Sequence, residues 1–250
     1  MKNILLLTDF SDNSMNAIEY AIKFLVINEV YIKPAKTQLR NILKRISKFF
    51  PNNNNHRYYT LTDYSFFIES IRKHVVDRKI DMIVMGTKGS SGLKKYIIGS
   101  NTGDVITKVK CAILVIPENA KFSKITEIVF PTDFALNYNL NTLQPISEIL
   151  EAYNSYLGIL HISQSDKDLN TDQQKNKELL DDYFNNRKHG FYFLTNKKIE
   201  NAIQCFVESR GVDLITMVAK NLNYFQRLLF LPKVKEISYH TDIPFLVLHE

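Results

Sequence analysis

The tripeptide Thr-Asp-Phe closes an apolar run twice in this chain, at Thr8 to Phe10 after KNILLL and at Thr132 to Phe134 after EIVFP. An amphipathic pattern follows each time, NSMNAIEYAIKFL in the first case and LNTLQPISEIL in the second. Two further pairs of segments match in the same order. DMIVMG from Asp81 resembles DLITMVA from Asp213, and CAILVIPE from Cys111 resembles PFLVLHE from Pro244. A strand, turn and helix plan repeated at domain spacing restricts the chain to two copies of one unit. The boundary falls near Asn119 to Lys124, giving a first domain over 1–120 and a second over 125–250.

Within each copy, apolar β-branched runs alternate with helical patterns, which implies a mostly parallel sheet covered by helices on both faces. The fold class is therefore α/β. In the second copy, strands are expected near 126–131, 156–162, 191–194, 213–218 and 245–249, and helices near 138–152, 171–188, 197–210 and 233–240. Ser11 and Asp12 are the candidates to cap the first helix. The first copy departs from the plan after that helix. There its second strand is abbreviated to EVYI or is missing from the chain.

No run approaches the eighteen or so apolar residues that cross a bilayer, and the apolar run before Thr8 is too short for a signal peptide. The expected location is cytoplasmic, without a membrane partner. Cys111 and Cys205 lie far apart in apolar runs and are expected to be buried, reduced thiols rather than a disulfide or zinc site. Residues 1–124 carry 20 Lys and Arg against 10 Asp and Glu, whereas residues 125–250 carry 12 against 16. The halves are +10 and −4, so only the first is suited by charge to a polyanion.

Five of the eight glycines fall between Met85 and Ile106. Gly86 directly follows the run DMIVM, and the spacing continues as two residues, Gly89, nine residues, Gly99 and Ser100. Glycine lets backbone N–H groups approach a phosphate without an intervening Cβ. Ser100 adds a hydroxyl at the start of the next helix, where the dipole also favours an anion. Lys88, Lys94 and Lys95 share this loop, but lysines in an exposed loop are generally solvated and are not assigned as ligands.

The G-x2-G-x9-G-[ST] spacing after a fourth strand, with an N-terminal strand ending in TDFS, resembles the ATP-binding class of the universal stress protein family. The duplication resembles its tandem members. The resemblance implies two Rossmann-like domains of the adenine nucleotide alpha hydrolase type, joined as an intramolecular pseudo-dimer through their final strands, with a further homodimer left open. It implies that Asp9 meets the ribose or adenine and that Met85 packs near the base. Gly86, Gly89, Gly99, Ser100 and Asn101 would hold the phosphates of ATP or another adenine nucleotide, with Mg2+ as a companion of the phosphates. Family members also place a second-strand residue against the adenine, and Val30 is the candidate here.

Overlaying DMIVMG through CAILV on DLITMVA through PFLVL at an offset of 133 puts Ala219, Leu222, Pro232 and Lys233 where the first copy has Gly86, Gly89, Gly99 and Ser100. Leu222 adds bulk and Pro232 removes an N–H, so the second copy is expected to lack the cradle. The stretch NLNYFQRLLFLPKV is expected to pack as an apolar segment. No GxxxxGK[ST] loop is present, and the six histidines lack metal-ligand spacing, with His161 and His249 expected in structural or surface roles. No general base can be named. The expected function is a nucleotide-responsive stress-response module, with a slow Mg-dependent ATPase or phosphotransferase as the alternative. A nucleic-acid binder built on the +10 half ranks below both, because basic and aromatic residues do not interleave on any recognisable motif.

Overall fold

Ile4, Leu5 and Leu6 have no solvent exposure at all, so NILLL forms β1 (Asn3–Leu7), a strand covered on both faces. The computed structural model describes residues 3–24, 29–33, 36–50, 57–61, 66–87, 100–135, 138–163, 168–196, 199–219 and 242–249. Two units emerge, Met1–Phe122 and Ser123–Glu250.

In the first unit β1 is followed by α1 (Asp12–Phe24), β2 (Glu29–Lys33), α2 (Lys36–Phe49), β3 (Arg57–Thr60) and α3 (Phe67–Asp77). Then come β4 (Met82–Gly86), α4 (Ser100–Lys108) and β5 (Ala112–Ile116). The strands pair in parallel in the order β3-β2-β1-β4-β5. The segment EVYI is a genuine strand, extended to Lys33 and paired with β1 along its whole length. Helix α1 buries Asn13, Ala17, Tyr20, Ala21 and Phe24, a stripe at helical spacing that lies on the sheet. Ser11 is its cap. The Ser14 N–H donates to the Ser11 Oγ at 3.2 Å. Tyr20 and Phe24 complete the core against Phe122, at centroid separations of 5.4 and 6.4 Å.

The second unit runs β6 (Glu127–Thr132), α5 (Leu140–Tyr153), β7 (Tyr156–Ser163), α6 (Thr171–Phe184), β8 (His189–Thr195), α7 (Ile199–Arg210), β9 (Leu214–Val218) and β10 (Phe245–Leu248). Its strands are also parallel, in the order β8-β7-β6-β9-β10. This is the same order as in the first unit. The α/β class expected from the alternation is the one the chain adopts. The helix expected near 233–240 and the stretch NLNYFQRLLFLPKV lie outside the described residues.

The repeated aspartates before β4 and β9 have a shared structural task. The Asp81 carboxylate accepts the Asn3 N–H at 2.8 Å, and the Asp213 carboxylate accepts the Thr126 N–H at 2.7 Å and the Glu127 N–H at 3.1 Å. Each ties the start of the unit's first strand to the start of its fourth.

The ladder register corrects the overlay of the two copies. Gly86 pairs with Ile116 and Val218 pairs with Leu248, the same separation of 30 residues in both units. The bond from the Thr87 N–H to the Ile116 carbonyl recurs from the Ala219 N–H to the Leu248 carbonyl. Both bonds place the strands at an offset of 132, not 133, so Val218 rather than Ala219 occupies the position of Gly86. The small residue at Ala219 favours the wrong alignment in sequence, whereas backbone pairing admits one register. Cys205 needs a second correction. It is exposed, while Cys111 is buried as expected. Burial, with the Asp81 charge second, pushes the Cys111 thiol up to about 12, so it stays protonated at neutral pH.

Candidate functional site

In a sheet of this order the chain reverses direction between the first and fourth strands, and ligands settle beyond the carboxyl ends at that switch point. In the first unit this point lies between β1 and β4. The segments that leave it are Thr8–Ser11 and the residues after Gly86.

The Thr8–Ser11 turn is built from its own side chains. The Thr8 Oγ1 accepts the Phe10 N–H at 3.0 Å, and the Asp9 Oδ1 accepts the Ser11 N–H at 3.1 Å and the Ser11 hydroxyl at 2.6 Å. Phe10 adopts φ 68°, a conformation that few non-glycine residues take. Asp9 remains exposed at the edge. These bonds fix the carboxylate relative to β1.

Gly86 ends β4 beneath the first turn of α1. A Cβ at Gly86 would lie 2.9 Å from the Asn13 side chain, so no larger residue fits unless Asn13 moves. The Thr102 Oγ1, buried in α4, donates to the Gly86 carbonyl at 2.9 Å. Helix α4 begins at Ser100 itself, and Asn101 is exposed in its first turn. Met85 is buried one residue before the strand ends. The switch point therefore gathers Asp9, Met85, Gly86, Ser100 and Asn101 by fold position. Gly89, Gly99, Lys88, Lys94 and Lys95 lie outside the described residues. Val30 lies on β2 as the register partner of Ile4.

Sequence reasoning passed over Asn13 and Thr102, the two side chains that hold Gly86. A signal for Asn13 was present. It stands on the apolar stripe of α1, where an unexplained polar residue calls for a local partner.

The second unit repeats the turn and closes it. The Thr132 Oγ1 accepts the Phe134 N–H at 2.9 Å, the Asp133 Oδ1 accepts the Ala135 N–H at 3.0 Å, and Phe134 takes φ 55°. Here Phe134 is fully buried and stacks on His161 with centroids 5.1 Å apart. Helix α6 reaches the turn directly. The Gln173 amide donates to the Asp133 carbonyl and the Asn176 amide to the Phe134 carbonyl, each at 2.8 Å. Where the first unit has Ser14, bonded to Thr8 at 2.9 Å, the second has Tyr138, whose buried hydroxyl bonds Thr132. Desolvation holds the Tyr138 hydroxyl protonated, well above the usual tyrosine range. His161 occupies a structural position, as expected. Its Nδ1 bonds the Thr132 carbonyl at 3.1 Å, and burial lowers its pKa, so the ring is neutral at pH 7.

The described residues include no cluster of three or more His, Cys, Asp or Glu able to hold a metal ion, and no helix among them is long and apolar enough to cross a membrane.

Comparison with known proteins agrees with this architecture. The profile of the Universal stress protein family matches residues 68–117, the segment from α3 through β4 and α4 to β5. The fold is similar to that of a universal stress protein from Archaeoglobus fulgidus, at TM-score 0.62 and 15% identity, covering 98% of this chain and 95% of that one. It is also similar to a putative universal stress protein from Pseudomonas aeruginosa, at TM-score 0.65 and 10% identity, covering 100% and 93%. The cytoplasmic domain of a prokaryotic cation chloride cotransporter is similar as well, at TM-score 0.59 and 8% identity, covering 99% and 95%. At such identities the likeness is one of fold, and this fold serves more than one class of protein. No curated protein sequence matches the chain.

Proposed function

We propose that the chain is a tandem universal stress protein of the cytoplasm whose first unit binds ATP or a related adenine nucleotide and whose second unit does not. The observation that carries this reading is Gly86, a strand-end glycine whose missing Cβ is required by Asn13, with helix α4 beginning at Ser100 after the G-x2-G-x9-G spacing of the sequence. The backbone beyond β4 can approach a phosphate closely, and the N-terminus of α4 supplies further N–H donors. Asp9, fixed by its turn, offers a carboxylate to the ribose hydroxyls or the base. Met85, Gly89, Gly99 and Asn101 complete the site in this reading, and Mg2+ would accompany the phosphates and neutralise part of their charge.

In this reading, binding at this edge makes the chain a nucleotide-responsive module. The test begins with freshly purified protein, denatured so that any retained nucleotide can be identified by chromatography. Calorimetric titration of Asp9→Ala and Asp133→Ala follows. Asp9→Ala should weaken adenine nucleotide binding by about 1.5 to 3 kcal/mol, the cost of a lost charged hydrogen-bond partner, and Asp133→Ala should not change it. Equal effects would reduce both turns to strand-end structure and overturn the reading.

A further inference from the structure

The second unit contains a cavity of about 550 Å³ at the carboxyl ends of β7 and β8 beside α6. That volume is in the range of small-molecule sites. Its walls come from distant parts of the chain that parallel pairing joins. His161 is the register partner of Phe193, and Ser163 of Thr195.

Three features of the walls point to a ligand. His161 is 7% exposed, and its Nδ1 is engaged by the Thr132 carbonyl, leaving Nε2 as the hydrogen-bonding atom that it can offer the cavity. As the Nδ1–H donor to a carbonyl, the neutral ring presents an acceptor there. Phe193 is 52% exposed, a large ring left open to solvent 5.7 Å from the His161 ring. Lys177 stands over the Phe191 ring at 4.9 Å and pairs with no carboxylate among the described residues, while Asp168 lines the same cavity. An open aromatic wall thus stands with one cationic group, one anionic group and one buried acceptor.

We infer that this cavity binds a small zwitterion carrying a planar ring, of the aromatic amino acid class. The ring lies against Phe193, the carboxylate faces Lys177, and the ammonium is shared between Asp168 and the His161 Nε2. Each charge on the ligand then meets its opposite, and the apolar wall receives the one part of the ligand that water solvates poorly. The site is independent of the nucleotide reading for the first unit, since it uses none of those residues.

The test is ligand-observed saturation-transfer NMR on the full chain with L-phenylalanine, L-tyrosine, L-tryptophan and L-histidine. The N-acetyl and carboxamide derivatives of each remove one charge at a time, and ATP serves as competitor. At least one free amino acid should bind, and each derivative of it should bind at least tenfold more weakly. Phe193→Ser and Lys177→Met, both at solvent-accessible positions, should each weaken it at least tenfold while leaving the thermal midpoint near that of the parent. The proposal is overturned if no free amino acid binds, if the derivatives bind as well as the parent compound, or if the two substitutions change nothing. It is overturned equally if ATP displaces the amino acid, which would make this cavity a second nucleotide site.

Discussion

The two Thr-Asp-Phe turns share a backbone and differ in what surrounds them. Phe10 and Phe134 have nearly the same left-handed φ, and Thr8 and Thr132 accept the same amide two residues on. Among the described residues Asp9 is exposed. Around Asp133 the side chains of Gln173 and Asn176 bond both turn carbonyls, and Phe134 is sealed under His161. The same strand-ending turn geometry therefore stands in two different surroundings. The tripeptide alone does not mark a site. What separates the two edges is the residue that ends the fourth strand, Gly86 in one unit and Val218 in the other.

The largest effect should come from exchanging that residue. Gly86→Val places a branched side chain against Asn13, so it should cost about 1 to 3 kcal/mol of stability through overpacking. It should also lower nucleotide affinity at least tenfold, about 1.4 kcal/mol. Chemical denaturation and calorimetric titration read the two separately. If affinity persists in a folded variant, the glycine is merely structural and the comparison collapses.

Next in size is the clamp on the second turn. Asn176→Ala leaves the buried Phe134 carbonyl without its donor and should destabilise the second unit by about 1 to 3 kcal/mol. Hydrogen exchange localised to β6, β7 and α6 would show it, with nucleotide binding unchanged. A comparable or smaller effect is expected at the threonines. Thr8→Val and Thr132→Val each remove the bond to a left-handed phenylalanine together with the bond to Ser14 or Tyr138, and should cost about 0.5 to 1.5 kcal/mol per bond. Similar costs would sharpen the view that the turn is structural in both units.

The smallest effect is the pH dependence contributed by His161. Burial holds its folded pKa below the ordinary histidine range, so the unfolded chain takes up a proton that the native ring refuses. The stability that it contributes is complete above about pH 6.5 and is lost as pH falls through the folded pKa. Denaturation midpoints at pH 7.5 and 5.5 should differ less in His161→Phe than in the parent chain. An unchanged difference would mean that other groups dominate acid destabilisation.

Much of this comparison was legible in the sequence. The alternation of apolar runs and helical stripes fixed the class, because buried parallel strands such as NILLL and AILVI read as unbroken hydrophobic segments. The edge position of Gly86 followed from its place after DMIVM. The register was legible only in part: Asp81 and Asp213 lie 132 apart, but overlaying CAILV on PFLVL at 133 exchanges Val218 for Ala219 without spoiling the apolar match, and the ladder hydrogen bonds decide for 132. The exposure of Cys205 was missed for a related reason: a helix shows one face to solvent even within an apolar run. The cavity beside α6 could not be foreseen. His161, Lys177 and Phe193 are separated in sequence and meet only through the pairing of β7 with β8 and the packing of α6.

The proposal that only the first unit binds a nucleotide has a direct measure in stoichiometry. Native mass spectrometry of the full chain saturated with ATP should show one nucleotide per chain, and Gly86→Val should abolish it while Asp133→Ala leaves it in place. Two nucleotides per chain, or one that survives Gly86→Val in a folded protein, would contradict the account.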